Sequence, residues 1–264
     1  MTASDPVTRG HLAGRTALVT GAGNGLGAAI AVALGEVGAR VILTGRTIAT
    51  LKETAGRLPD PGSALVAPAD VASPESVAAL RHSLAAEQVD IVVNNAGIGG
   101  PVAAITDIDP ADWDEVFGAN VRSVYLMCRA FLPAMYRRGS GDVINIASVT
   151  GKRPLTRRTP YAASKMAVLG LTRTLAFEAG PRGVRVNSLS PGPCRGARMS
   201  RNFIAEAAAT GTSYAKAEEA FVSRAALHRL VEESEVAAAV LAMLQMPGLC
   251  GADIDLSAGM VAPA

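Results

Sequence analysis

The alternation of strand-sized apolar runs with longer stretches of helical periodicity narrows the possible folds of this chain more than anything else in it. The apolar runs fall at residues 16–20, 40–44, 64–67, 91–94, 143–147, 184–189 and 254–256. Helical spacing of apolar residues fills 25–37, 47–58, 74–86, 111–138, 161–179 and 232–246. Runs that stay apolar from end to end suit strands covered on both faces, as in a parallel sheet between helical layers. The alternation predicts an α/β fold, a single-domain, Rossmann-like, doubly wound parallel sheet of about seven strands with helices on both faces. Right-handed crossovers then gather the carboxyl ends of the strands, and the site, along one edge.

Nothing divides the chain: 264 residues carry no Pro/Gly/Ser linker or composition shift, so one domain over 1–264 is expected. Twenty-five Lys and Arg against 23 Asp and Glu leave +2, which implies neither nucleic acid nor an anionic membrane as a partner. The apolar runs are far shorter than the roughly 20 residues that span a bilayer. The segment 1–14 lacks the apolar core of a signal peptide. Cys128, Cys194 and Cys250 show no framework spacing, and His11, His82 and His228 lie far apart with no Cys nearby, so no metal is expected. A soluble protein of the reducing cytoplasm fits these features. One segment, at about 194–224, breaks the rhythm: it is rich in Ala, Arg, Ser and Thr and follows the rigid Pro191-Gly192-Pro193. It reads as a helical excursion over the site, either a mobile substrate lid or a surface-packed helical pair.

Two sequence features carry chemistry. Thr20-Gly21-Ala22-Gly23-Asn24-Gly25-Leu26-Gly27 lies between the first strand and the first helix. Glycines there let the backbone turn tightly against a pyrophosphate, and the helix N-terminus beyond supplies unpaired N–H groups. Tyr161 and Lys165 stand four apart in a helical segment, on one face and one turn from each other. A phenol ionises only near pH of about 10, and a neighbouring ammonium favours the phenolate, so the pair is a proton-transfer device. Ser148 follows the apolar run at 143–147. At the end of the second strand, where an acid would hold ribose hydroxyls and favour NAD, the chain has Gly45 and Arg46. A guanidinium suits a 2′-phosphate, so NADP(H) is favoured over NAD(H).

In this order and spacing these motifs resemble the compact, single-domain branch of the short-chain dehydrogenases/reductases, over 14–259. The family's TGxxxGxG is similar to Thr20–Gly27, its NNAG to Asn94-Asn95-Ala96-Gly97, and its YxxxK to Tyr161–Lys165. The resemblance implies a catalytic set of Asn120, Ser148, Tyr161 and Lys165. Ser148 would hydrogen-bond the substrate oxygen and Tyr161 would pass the proton. Lys165 would assist the tyrosine and hold the nicotinamide ribose, and Asn120 would position a water linking Lys165 to solvent. It implies cofactor contacts from Gly21, Asn24, Gly25, Leu26, Gly27, Arg46, Asp70, Val71, Asn94, Ala96, Gly97, Tyr161, Lys165, Pro191, Gly192 and Cys194. It also implies a homotetramer or homodimer built through the helices at 111–138 and 161–179. The chain departs from the family where a Thr is expected four residues after Gly192, since Gly196 stands there.

The expected activity is interconversion of a ketone and a secondary alcohol with NADP(H), as in 3-oxoacyl-reductase-like enzymes. An NAD-linked dehydrogenase of a polyol, cyclic alcohol or hydroxy acid is the alternative enzyme, and a catalytically silent cofactor sensor the alternative class. The basic clusters Lys152, Arg153, Arg157, Arg158 and Arg195, Arg198, Arg201 flank the expected mouth. They either grip an anionic group on the small-molecule substrate or serve as solvated loop and oligomer contacts.

Overall fold

The structure, a computed structural model, describes residues 10–260, without the side chains of Arg198, Ala205 and Ala209. Most of the leader segment, and the Arg198 side chain of the second basic cluster, therefore lie outside the described residues. The strands are β1 (Thr16–Thr20), β2 (Arg40–Thr44), β3 (Ala64–Val66), β4 (Ile91–Asn94), β5 (Gly141–Ile146), β6 (Val184–Pro191) and β7 (Asp253–Leu256). All pair in parallel, in the order β3-β2-β1-β4-β5-β6-β7. The helices are α1 (Gly25–Glu36), α2 (Ile48–Ala55), α3 (Pro74–Ser83), α4 (Pro110–Phe117), α5 (Ser123–Arg138), α6 (Thr159–Ala179), α7 (Ala197–Thr210), α8 (Tyr214–Val222) and α9 (Glu233–Leu244).

The apolar runs are uninterrupted because each strand feeds two cores. Ala17, Val19, Val41, Leu43, Ile91 and Val93 pack on one face with Ile30 and Leu34 of α1, Leu51 of α2 and Val236 and Val240 of α9. The residues between them, Leu18, Ile42 and Val92, pack on the other with Leu80 of α3, Met127 and Phe131 of α5 and Val168 and Leu169 of α6. Burying such side chains is worth about 1.5–3 kcal/mol each, so a one-residue slip of any strand would expose neither face to water but would misfit both.

The helix expected across 111–138 runs unbroken from 110 to 138 but not as one regular α-helix. Between α4 and α5 the backbone takes a π-helical turn over Gly118–Arg122. The cause is Asn120, which is drawn inward to bond the segment after β4: Oδ1 accepts from Ile98 N at 2.7 Å and Nδ2 donates to Ile98 O at 3.0 Å. A one-residue bulge lets that side chain point inward while the apolar faces on both sides keep their cores. The segment 194–224 forms α7 and α8, joined at Gly211, and they share a small core of their own. Phe203 meets Tyr214 and Phe221 edge-on at 5.7 and 5.6 Å, beside Ala217 and Leu230.

A buried polar ladder ties the sheet to the helix that bears Tyr161. Asn94 Nδ2 donates to Asn145 Oδ1 (2.8 Å), and Asn145 Nδ2 donates to Thr172 Oγ1 on α6 (2.9 Å). Asn145 and Thr172 are fully buried. Removing the middle rung leaves two buried polar partners unsatisfied, at about 1–3 kcal/mol for each group. Asn145→Ala is therefore expected to lower unfolding stability by about 2–4 kcal/mol, read as a shift of the urea midpoint, while a surface change such as Arg173→Ala leaves it in place.

Candidate active site

The sheet order reverses at β1, which has β2 on one side and β4 on the other. Crossovers leave β1 and β4 in opposite directions, and a crevice opens at their carboxyl ends. A single hydroxyl fastens its floor. Thr20 Oγ1 accepts from Asn95 N and Ala96 N, both at 3.0 Å, and Asn95 Nδ2 donates back to Thr20 O at 3.0 Å. The glycine turn then runs over this floor so closely that a Cβ on Gly27 would strike the Gly21 carbonyl oxygen. α1 begins at Gly25 with no side-chain cap and no acid in its first turn. Its first N–H groups and the positive end of its dipole therefore face the cleft, a ready cradle for an anion. This is the fit a dinucleotide diphosphate requires.

The cleft encloses about 870 Å³. Gly21, Asn24, Gly25, Leu26 and Gly27 line it from the turn, Arg46 from the end of β2, Asp70 and Val71 from beyond β3, and Ala96 and Gly97 from beyond β4. Pro191, Gly192 and Cys194 line it from the end of β6, with Ser148, Tyr161 and Lys165. Asn94 does not: its side chain is buried in the ladder below the sheet edge. The neighbouring Asn95 is the residue that reaches the glycine turn, as strand alternation would place it.

Tyr161 and Lys165 stand one turn apart on α6, 9% and 5% exposed. Lys165 Nζ donates to Ile146 O at 2.8 Å and lies 5.8 Å from the centre of the Tyr161 ring. A second cation, the Arg158 guanidinium, lies 5.7 Å from the same ring centre. Ser148 leaves β5 in an extended conformation and its Oγ accepts from Thr150 N at 3.2 Å. The turn after it rests on α6 at Gly151, where a Cβ would come within 2.9 Å of Met166 N. Lys152 pins the same turn to β7 through Asp253 (2.6 Å) and Asp255. Asp253 Oδ1 in turn accepts from Ser188 and Ser190 Oγ, both at 2.8 Å.

Asn120 lies under this surface rather than on it. Besides Ile98, its Nδ2 donates to Ser164 Oγ (2.9 Å), which donates to Tyr161 O (2.8 Å). Its side chain therefore fixes the α6 segment that bears the tyrosine. Among the cleft residues outside the expected contact set are Asn95, within the Asn94–Gly97 motif but not singled out, Arg122, whose Nε donates to Ala72 O at 3.1 Å, and Glu233 at the start of α9. Asn95 could have been found from strand alternation; Arg122 and Glu233 reach the cleft only through the π turn and the packing of α9, which no local pattern reports.

The chain is similar in sequence and fold to known oxidoreductases. D-threitol dehydrogenase of Mycolicibacterium smegmatis is 39% identical over 184 residues, 69% of this chain and 70% of that protein. The structure of L-sorbose reductase from Gluconobacter frateurii complexed with NADPH and L-sorbose superimposes with a TM-score of 0.89 at 26% identity, covering 96% of this chain and 98% of that one. A variant of actinorhodin polyketide ketoreductase with NADPH gives 0.87 at 31% identity, covering 93% and 97%. The family model described as short chain dehydrogenase matches residues 15–208. The chain belongs to the short-chain dehydrogenase/reductase family, oxidoreductases acting on CH–OH groups.

Proposed function

We propose that this enzyme interconverts a ketone and a secondary alcohol with NADP(H), using Tyr161 as the acid/base. The observation that carries the reading is that Tyr161, Lys165 and Ser148 line the same cleft as the uncapped N-terminus of α1. When bound, the nicotinamide supplies the hydride in reduction and accepts it in oxidation. Ser148 Oγ donates to the substrate oxygen and stabilises the charge that develops there. The Tyr161 hydroxyl delivers the proton in reduction and takes it back in oxidation. Lys165, held on Ile146 O, keeps a positive charge beside the phenol. Asn120 acts through Ser164 and Ile98 as a positioning residue.

The NADP preference rests on β2. Gly45 brings no carboxylate to the strand end, and the exposed Arg46 lines the cleft beside Thr47 and Thr50. The related D-threitol dehydrogenase and L-sorbose reductase support a polyol or ketose as the second substrate reading. An anionic substrate group is also part of the proposal. Lys152 is paired with Asp253 and Asp255, Arg195 with Glu218 and Glu232, and Arg157 donates to Val102 O. Arg158, whose guanidinium lies 5.7 Å from the centre of the Tyr161 ring, and Arg201, on the cleft wall, are the cations this reading takes for the anion. For assembly, Tyr125 of α5 and Met166 and Phe177 of α6 are exposed, Phe177 to 85%, and these helices supply the proposed dimer or tetramer face. The α7–α8 pair serves as the proposed lid.

Tyr161→Phe should lower kcat by about 10²–10⁴-fold with cofactor affinity retained, measured by absorbance of the reduced nicotinamide across a carbonyl panel. Retained turnover would reject the tyrosine as the proton donor. Gly45→Asp combined with Arg46→Ala should shift the kcat/KM preference from NADPH to NADH by about 10²-fold, the loss of one charge-assisted pair plus the gain of ribose bonds. Arg158→Gln should raise KM for acidic ketones about tenfold while leaving neutral ketones within a factor of about two; equal changes for both would remove the anion from the reading.

A further inference from the structure

The α9 N-terminus carries three carboxylates, and two of them are used. Glu232 caps the helix and accepts from Arg195 Nε at 2.9 Å. Glu235 accepts from Glu232 N at 2.8 Å and forms a two-bond pair with Arg229, 2.7 Å on each side, which holds its carboxyl down at about 2. Glu233 makes no hydrogen bond or ion pair among the described residues, and its side chain turns into the cleft. Its Oε1 lies 3.6 Å from the place a Cβ on Gly25 would occupy and 2.8 Å from that on Gly196. The carboxyl is thus wedged between the first residue of α1 and the residue before α7. It fills the space left by the glycine that replaces the expected hydroxyl residue.

Among the described residues the cations nearest in sequence to its contacts are engaged elsewhere or on the cleft wall: Arg195, next to Gly196, is paired with Glu232 and Glu218, and Arg201 lines the cleft. α1 brings no charged side chain in its first turn, and α7 opens with Ala197. Glu232 on its own helix is a like charge, and Arg57, beyond α2, is the cation that acts on it. Burial raises the Glu233 carboxyl above the ordinary carboxylate range; Arg57 pulls it back in part, and Glu232 adds a smaller push upward. A carboxylate beside the uncapped α1 N-terminus satisfies the helix dipole while no other anion is there. A diphosphate on the same N–H groups would bring a second anion to within a few ångströms of the first.

Building on the nucleotide reading of the cleft, we propose that Glu233 tunes cofactor affinity by opposing the dinucleotide diphosphate, whose entry is coupled to proton uptake, of up to one solvent proton, by the Glu233 carboxylate. Protonated, the acid no longer repels the diphosphate and donates a hydrogen bond to it. The linkage has a definite sign. The bound state holds the proton more tightly than the free protein, so affinity rises as pH falls from the range where free Glu233 is ionised, and levels off once the free protein is itself protonated.

The test is calorimetric binding of ADP-ribose, which carries the diphosphate without nicotinamide or 2′-phosphate, at several values between about pH 5.5 and 8.5. Titrations in two buffers of different ionisation enthalpy give the protons taken up directly. The wild type should take up a fraction of a proton near neutral pH, and Glu233→Gln should take up none. The variant should bind ADP-ribose about tenfold tighter at pH of about 8, with its pH dependence flattened. Adenosine, which has no diphosphate, should bind both proteins alike. Wild-type binding without proton uptake, unchanged or weaker binding by the variant, or an equal gain for adenosine would overturn the role of Glu233. Failure of the wild type to bind either ADP-ribose or NADPH would overturn the nucleotide reading of the cleft and this proposal with it.

Discussion

The Asn120 carboxamide holds three parts of the molecule in one arrangement. Through Ile98 it fixes the segment that continues β4 into the cleft wall, and through Ser164 it fixes the first turns of α6. To reach both, it forces the chain between α4 and α5 into a π-helical turn. The amide itself is buried, and its bonds are buried or partly so, where each is stronger than in water and costly to leave unmade. The distance between the cleft wall and the tyrosine is therefore set by an amide inside the protein, and the side chains on the surface inherit it. A Cβ at Gly97 would come within 2.7 Å of Asn120 Oδ1, so the wall lies directly against this amide.

Charge is divided between the two ends of the sheet. At the amino ends of the strands, Asp142 takes Arg15 and Arg185, both at 2.6 Å, while Arg138 lies 3.5 Å from Asp90. At the carboxyl ends, Lys152 and Asp253 brace the turn after Ser148. Such partly buried pairs contribute less as attractions than they would cost if one partner were removed, about 3–5 kcal/mol. They fix strand ends and loops in place.

The parallel sheet was legible because a strand covered on both faces leaves a run of apolar residues that is hard to mistake, as in 40–44 and 91–94. The glycine turn and the Tyr161–Lys165 pair were legible because their chemistry constrains neighbours in sequence. What the sequence hid depends on distance in the chain. The apolar spacing runs through 116–127 without a break, so the turn at Asn120 left no mark in the periodicity; its cause lies 22 residues away at Ile98. Asn94 and Asn95 are the same residue type, and only the side of the strand decides that one joins Asn145 in the core while the other holds Thr20. Glu233 is by residue type an ordinary first-turn acid of a helix, and nothing local marks it as facing the cleft.

The π turn also acts as an index mark for everything after it. Each residue of an α-helix advances the face by about 100°, so the single extra residue at Gly118–Arg122 sets the rotational phase of all of α5. Val124, Met127, Phe131 and Met135 meet the sheet because of that offset. Losing one residue there would swing this apolar row toward water and bring Tyr125 and Arg129, now on the outer side, toward the strands. The length of this short turn is thereby tied to the packing of a 16-residue helix, and loop-like tolerance to insertion or deletion ends where the turn begins.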